Sequence, residues 1–143
     1  MSAYLLDVNV LLALTDPQHL LHEAAHRWWQ DWGNAAWATC PITENGFVRV
    51  ASHPSYPNRS GEATVALAIL RQLCSLPGHH FWADNISLRE AMEPDAALTH
   101  GQVTDAYLLG LAVHHGGRMA TFDQRVVASA VRGGVDVLEV IAS

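Results

Sequence analysis

The sequence predicts an α/β fold, a parallel sheet with helices packed on both of its faces. Short apolar runs of strand length alternate with longer stretches whose apolar residues recur every three or four positions. That alternation is the signature of parallel strands joined by crossover helices. Turn-forming pairs punctuate the transitions, at Asp16-Pro17, Gly33-Asn34, Pro77-Gly78 and Gly116-Gly117. The chain has 143 residues, of which 50% are hydrophobic and 15% charged, enough for one sizeable core. A single domain over residues 1–143 is expected.

The elements follow in order. Ala3-Tyr4-Leu5-Leu6 is a short buried strand ending at Asp7. Val8 to Leu14 opens a helix that closes near Asp16-Pro17. A second helix runs from about Gln18 to Trp32, with Leu21, Ala24, Ala25, Trp28 and Trp32 on its core face. Ala36-Trp37-Ala38-Thr39 is the second strand, and Pro41 fits the first position of the next helix. That helix carries Glu44 in its first turn and continues through Phe47, Val48 and Val50. His53 to Ser60 is a polar loop, followed by a helix from about Gly61 to Ser75. His80-Phe81-Trp82 is the third strand, and Ser87-Leu88-Arg89-Glu90 has capping-box spacing for a short helix.

The stretch from Val103 to Asp123 organises the rest. Thr104 is a good N-cap, and Asp105 falls in the first turn, where the helix dipole favours negative charge. Leu108, Leu109, Leu111 and Ala112 form an apolar stripe, and Gly116 and Gly117 suit the left-handed residue that ends a helix. Arg118 to Phe122 fits a strand covered on both faces, which puts Asp123 at the edge where open α/β sheets bind ligands. Arg125 to Arg132 gives one more short helix, and Val135 to Ile141 a closing strand.

Charge and composition narrow the chemistry. The net charge is −6, so the surface as a whole does not attract nucleic acid, and any RNA contact needs local arginines or cations. All eight basic residues are arginines. The absence of lysine excludes P-loop and Schiff-base mechanisms. Cys40 and Cys74 sit in apolar settings and read as buried packing thiols of a reducing compartment. Asp7 interrupts the N-terminal apolar run, so no signal peptide is read, and no apolar run is long enough for a bilayer. The expectation is a cytoplasmic protein without membrane association.

Four acids, Asp7, Glu44, Asp105 and Asp123, fall at strand ends or in first helical turns, all on one edge of the expected sheet. Each alone has a plain explanation as a cap, a helix-dipole partner or a loop acid. Together they imply a cluster. Two like charges about 4 Å apart repel by roughly 4 kcal/mol at an effective dielectric near 20, so protons or a cation must compensate. Carboxylates without histidine or thiolate suit Mg²⁺ or Mn²⁺. Such an ion orients a phosphate, activates a water and stabilises a leaving oxygen, the chemistry of phosphodiester hydrolysis.

Here a resemblance becomes specific. Leu6-Asp7-Val8-Asn9-Val10-Leu11-Leu12-Ala13-Leu14, Thr43-Glu44-Asn45-Gly46-Phe47, Thr104-Asp105-Ala106-Tyr107-Leu108 and Gly116-Gly117-Arg118-Met119-Ala120-Thr121-Phe122-Asp123 resemble the four blocks of PIN-domain ribonucleases. Within these the chain most resembles VapC-type toxins of toxin–antitoxin modules. The blocks occur in the family's order, whereas residues 53–98 match nothing distinctive. The resemblance implies a three-layer α/β/α sandwich with a five-stranded parallel sheet and an acidic pocket for one or two Mg²⁺ or Mn²⁺ ions. Carried over, Asp7 and Asp105 are the leading metal ligands, Glu44 and Asp123 complete the pocket, and Asn9, Thr104 and Thr121 are supporting groups. It also implies endonucleolytic cleavage of RNA, a homodimer and a cognate antitoxin that blocks the groove.

A rival motif is present. His22-Glu23-Ala24-Ala25-His26 matches H-E-x-x-H, with both imidazoles on one helical face and Glu23 as the base of a zinc metallopeptidase. The extended form needs glycine and histidine where Trp29 and Trp32 stand, and Glu44 is the one distant third ligand considered. The plainer reading makes His22 and His26 solvent-facing. His79-His80, His100 and His114-His115 read as surface or helix-end groups. Arg49, Arg59 and Arg125 are candidates for phosphate contacts. A third reading, a non-catalytic PIN-like binding module, is opposed by the complete set of acids.

Overall fold

In a computed structural model, which describes residues 2–143, five strands form one sheet in the order β3-β2-β1-β4-β5, every neighbouring pair parallel. The strands are β1 (Tyr4–Leu6), β2 (Trp37–Thr39), β3 (His79–Phe81), β4 (Arg118–Thr121) and β5 (Leu138–Val140). The helices are α1 (Val8–Thr15), α2 (His22–Asp31), α3 (Pro41–Ala51), α4 (Ala63–Cys74), α5 (Leu88–Ala91) and α6 (Val103–His114). The expected α/β sandwich is what the chain forms. Chain order reverses about β1, which lies between β2 and β4, so the carboxyl ends of β1 and β4 flank a topological switch point.

Alternation along β1 divides the core in two. Leu6 and Leu5 point to opposite faces, as successive residues of a strand must. Leu6 packs with Val10, Leu11 and Leu14 of α1, Trp28 of α2, Phe47 of α3 and Leu70 of α4. Leu5 packs with Met119 of β4 and with Leu108, Leu109, Leu111 and Ala112 of α6. Three layers result, with α1 to α4 on one face and α6 on the other.

Several boundaries differ from the sequence reading, each for a physical reason. The second helix starts at His22 rather than Gln18, because Asp16 turns the chain instead. Its carboxylate accepts from the Gln18 N–H, the Tyr56 hydroxyl and the Asn58 amide, tying the 53–60 loop to the end of α1. Trp32, expected in the core, is the C-cap of α2 and 64% exposed. Tyr4 and Trp29 instead pack against Trp28 and Trp37. The third strand is shifted by one residue to His79–Phe81, leaving Trp82 as a buried contact for α6.

The last turns of the chain also differ. Thr104 does not cap α6: the helix begins one residue earlier, after a 3₁₀ turn at His100–Gln102 that Thr99 and Gln102 cap reciprocally. The expected helix over Arg125–Arg132 shrinks to a 3₁₀ turn at Ala128–Ala130, because Val131 bridges to Met92 and fixes the chain in extended form. A further 3₁₀ turn at Gly134–Asp136 shortens the closing strand to Leu138–Val140. No helix among the described residues is long and apolar enough to cross a membrane.

The entry to β4 is the tightest joint. A Cβ on Gly117 would lie 2.5 Å from the Ala3 carbonyl oxygen and 2.5 Å from the Trp82 ring. A Cβ on Gly101 would meet nothing within 4 Å. Gly117→Ala is expected to destabilise the fold by about 2 kcal/mol in denaturant titration, the cost of overpacking against backbone. Gly101→Ala should change stability by less than about 0.5 kcal/mol; equal effects of the two would refute this account of the joint.

Candidate active site

Asp7 ends β1 and caps α1. Its backbone is extended, and its Oδ1 accepts the Val8 N–H at 2.8 Å, so the position that terminates the strand also begins the helix. Its Oδ2 accepts the Thr121 hydroxyl at 2.8 Å and the Asn9 amide at 3.4 Å. Asn9 reaches across to β4 as well, donating to Thr121 Oγ1 at 3.2 Å and accepting the Phe122 N–H at 3.3 Å. Thr121 Oγ1 in turn accepts the Asp123 N–H at 3.0 Å. Asn9 and Thr121 thus stitch the start of α1 to the end of β4.

Three aspartates lie there within reach of one another's charge. Asp7 is only 7% exposed, and burial raises its pKa against the pull of its Thr121 and Val8 hydrogen bonds, with the Asp123 charge adding to the rise. Asp105, in the first turn of α6, is pushed up to about 6 by burial first and then by the charges of Asp7 and Asp123. Asp123 is held below its ordinary value, chiefly by hydrogen bonds from Arg125. The Arg125 guanidinium makes two of these, at 3.0 and 3.2 Å, and its side chain is otherwise 84% exposed.

Glu44, the fourth expected acid, has a different hydrogen-bond partner. Its Oε2 accepts the Thr39 hydroxyl at 2.7 Å. Thr39 is fully buried and also lies 2.7 Å from His79 Nε2. Because the threonine hydroxyl has one proton and gives it to the carboxylate, the imidazole N–H donates to Thr39. Glu44 acts on His79 and Cys74, while Asp105 feels Asp7, Asp123 and Arg125.

Other expectations are placed as follows. Thr104 is exposed at the mouth of a groove that it shares with Ile42, Asn45, Gly46 and Arg49. Arg59 is occupied on the loop, donating to the Ser52 carbonyl at 2.8 Å. His22 and His26 are half-buried rather than solvent-facing. One nitrogen of each bonds a carbonyl oxygen of α1, Ala13 at 2.7 Å and Leu14 at 2.9 Å, which caps a helix end otherwise short of donors. Among the described residues no third ligand gathers with this pair. His79 is a strand residue, not a surface one, and His115 stacks on Trp82 with ring centroids 4.8 Å apart. Cys40 is buried as expected, whereas Cys74 is half-buried beside Glu44 and His79 rather than in an apolar setting.

The sequence assigns no site role to Thr39 or His79, which the structure joins by a hydrogen bond. Thr39 was detectable in principle as a polar residue at the carboxyl end of an otherwise apolar strand. Gly46 allows α3 to approach α1, since a Cβ there would lie 2.8 Å from Val8 Cγ2.

This fold is that of a family. The PIN domain matches residues 4–132, and the chain belongs to the PIN-domain family. Ribonuclease VapC39 of Mycobacterium tuberculosis H37Rv is 46% identical over 136 residues, covering 94% of this chain and 98% of the relative. Ribonuclease VapC44 of the same strain is 47% identical over 131 residues, covering 90% and 92%. In fold, the chain is similar to the crystal structure of M. tuberculosis VapC20, a toxin that cleaves the sarcin–ricin loop. The TM-score is 0.57 at 14% identity, over 90% of this chain and 96% of that one.

The raised carboxyls have a consequence for stability. Asp7 and Asp105 hold protons more tightly in the folded protein than in the unfolded chain, so their contribution is full below about pH 4. It is lost as pH rises, for Asp105 through about 6. Asp123 shifts the other way and contributes only above that lower limit. In chelator, Asp105→Asn is expected to be more stable than the parent at pH 7.5 by about 1 kcal/mol after allowance for solvent screening. The gain should vanish at pH 4; a pH-independent difference would show that Asp105 ionisation does not strain the site.

Proposed function

We propose that this protein is a metal-dependent endoribonuclease and the toxin of a toxin–antitoxin pair. The observation that carries the reading is that Asp7, Asp105 and Asp123 feel one another's charge at the β1/β4 switch point, in a chain 46% identical to ribonuclease VapC39. The donor set suits Mg²⁺ or Mn²⁺, being all carboxylate oxygen. Burial first, and the neighbouring aspartate charges second, raise the pKa values of Asp7 and Asp105, and a cation there would favour their ionised forms. A bound ion supplies water activation and stabilisation of the leaving oxygen.

The chain's own residues do the rest. Asp7, Asp105 and Asp123 would hold the ion. Thr121 and Asn9 orient Asp7 through hydrogen bonds, and Thr121 fixes the loop that presents Asp123. Arg125, exposed beside the cluster, and Arg49, on the groove with Thr104, are the positive groups placed to meet phosphates. With a net charge of −6 the rest of the surface repels RNA, so binding should weaken steeply with salt over these few contacts. An antitoxin segment carrying positive charge would be complementary to the same acidic edge, and a second copy of the chain is the expected homodimer partner. The protein would act in the cytoplasm.

Cleavage of a labelled RNA pool by the purified protein, with Mg²⁺ or Mn²⁺ and with EDTA, tests the reading. Cutting at discrete sites should require metal and fall on the order of 10²–10³-fold in Asp7→Asn and in Asp105→Asn. Thr121→Val should cost about 10–100-fold as the loss of an orienting partner. His22→Ala should leave cutting intact. A folded protein that binds RNA but never cuts it would instead be a binding module; peptide hydrolysis lost in His22→Ala would establish the zinc peptidase.

A further inference from the structure

Thr39, the last residue of β2, is fully buried, and two polar groups meet its hydroxyl. Glu44 Oε2 of α3 lies 2.7 Å away, and so does His79 Nε2 of β3. The three form a chain with one direction. A carboxylate only accepts, so the hydroxyl proton goes to Glu44 and the hydroxyl oxygen accepts the imidazole N–H. We propose that Thr39 and His79 are positioning residues for RNA cleavage, a role that rests on the ribonuclease reading, and that they fix the Glu44 carboxylate as the fourth acid of the groove.

Glu44 stands where substrate passes. It shares a groove along α3 with Asn45 and Arg49. Pro41, Asn45 and Arg49 also line the adjoining groove that includes Thr104, the residue before Asp105. An RNA backbone held by Arg49 beside the aspartates therefore runs past the first turn of α3, which carries Glu44. A glutamate at that point has no direction of its own, because its long side chain is free to rotate. Thr39 removes this freedom by taking Oε2, and leaves the second carboxylate oxygen free of that bond.

His79 in turn is held by the sheet. Parallel register sets Trp37 beside His79 and Thr39 beside Phe81. Trp37 is fully buried, and its ring packs on the imidazole with centroids 4.7 Å apart. The order of two paired strands is thereby handed to a carboxylate on a helix, the support that a site needs from rigid elements. Donors in series strengthen one another, so the imidazole N–H makes the hydroxyl a better donor to Glu44. The Cys74 thiol also lies beside the carboxylate and the imidazole. Burial first, and the Glu44 charge second, raise its pKa, so it adds no negative charge to repel the carboxylate.

A double-mutant cycle on RNA cleavage by the full chain tests this. Thr39→Val removes the hydroxyl and should lower kcat by about 10-fold or more, with KM changed by less than about twofold. Thr39→Ser keeps the hydroxyl and should recover most of that loss. On a Glu44→Gln background, Thr39→Val should cost less than about twofold further, because both changes act through one carboxylate. His79→Leu, at a half-buried position on an edge strand, should also lower kcat and carries the test if Thr39→Val does not fold. A second readout needs no cutting: long-range ¹H–¹⁵N NMR of the metal-free chain at about pH 8, where the ring is neutral, should find the His79 proton on Nε2. A parent that cuts while folded Thr39→Val and His79→Leu cut equally well, an undiminished loss on the Glu44→Gln background, or a proton on Nδ1 would each overturn the proposal. A parent that never cuts overturns the ribonuclease reading, and the positioning role with it, even where the proton is on Nε2.

Discussion

The hydrogen bonds that tie Asp7 to Thr121 and Asn9 are the constraint on which the site depends. They join the first and fourth strands just where the sheet changes direction, and they place a carboxylate in a position only 7% exposed. Burying that group costs several kcal/mol, and each hydrogen bond to its charged form returns about 1.5–3. The balance stays unfavourable to the charged form, which is why its pKa remains raised despite those bonds. A fold selected for stability alone would fill this position with an apolar residue. Raised carboxyls of this kind gather at functional sites more often than elsewhere, and structural networks produce them too.

Elements whose local and long-range preferences agree were legible from sequence. The β1–α1 junction is one, since Asp7 must both end an apolar strand and cap the helix after it. The α6–β4 unit is another: its leucine stripe, the left-handed glycine at Gly116 and the apolar run to Thr121 all specify one arrangement. Those two units place Asp7 and Asp105, and lead directly into Asp123. The expected helix over Arg125–Arg132 failed because a single bridge between Val131 and Met92, remote in sequence, outweighed local propensity. The N-cap expected at Thr104 failed because a preceding 3₁₀ turn supplied its own reciprocal cap at Thr99 and Gln102.

Glu44 shows the limit more sharply. Its place in the first turn of α3 is as the sequence indicates, yet position on a helix leaves the direction of the carboxylate open. That direction is decided by Thr39 and His79, which are five and thirty-five residues away and meet only because β2 and β3 pair in register. The same holds for His22 and His26. Their spacing on α2 matches a zinc motif, but the carbonyl ends of α1 lie beneath that face and take a nitrogen from each ring. A motif describes which groups can meet on one element; the neighbouring element decides what they do.

The two faces of α3 consequently serve different ends. Gly46 lets the helix close on Val8 and opens the groove where Asn45 and Arg49 stand beside Thr104, next to the start of α6. Glu44 bonds instead to a fully buried threonine. Fully burying Thr39 between half-buried Glu44 and His79 is tolerable because each is satisfied by another, as buried polar groups must be.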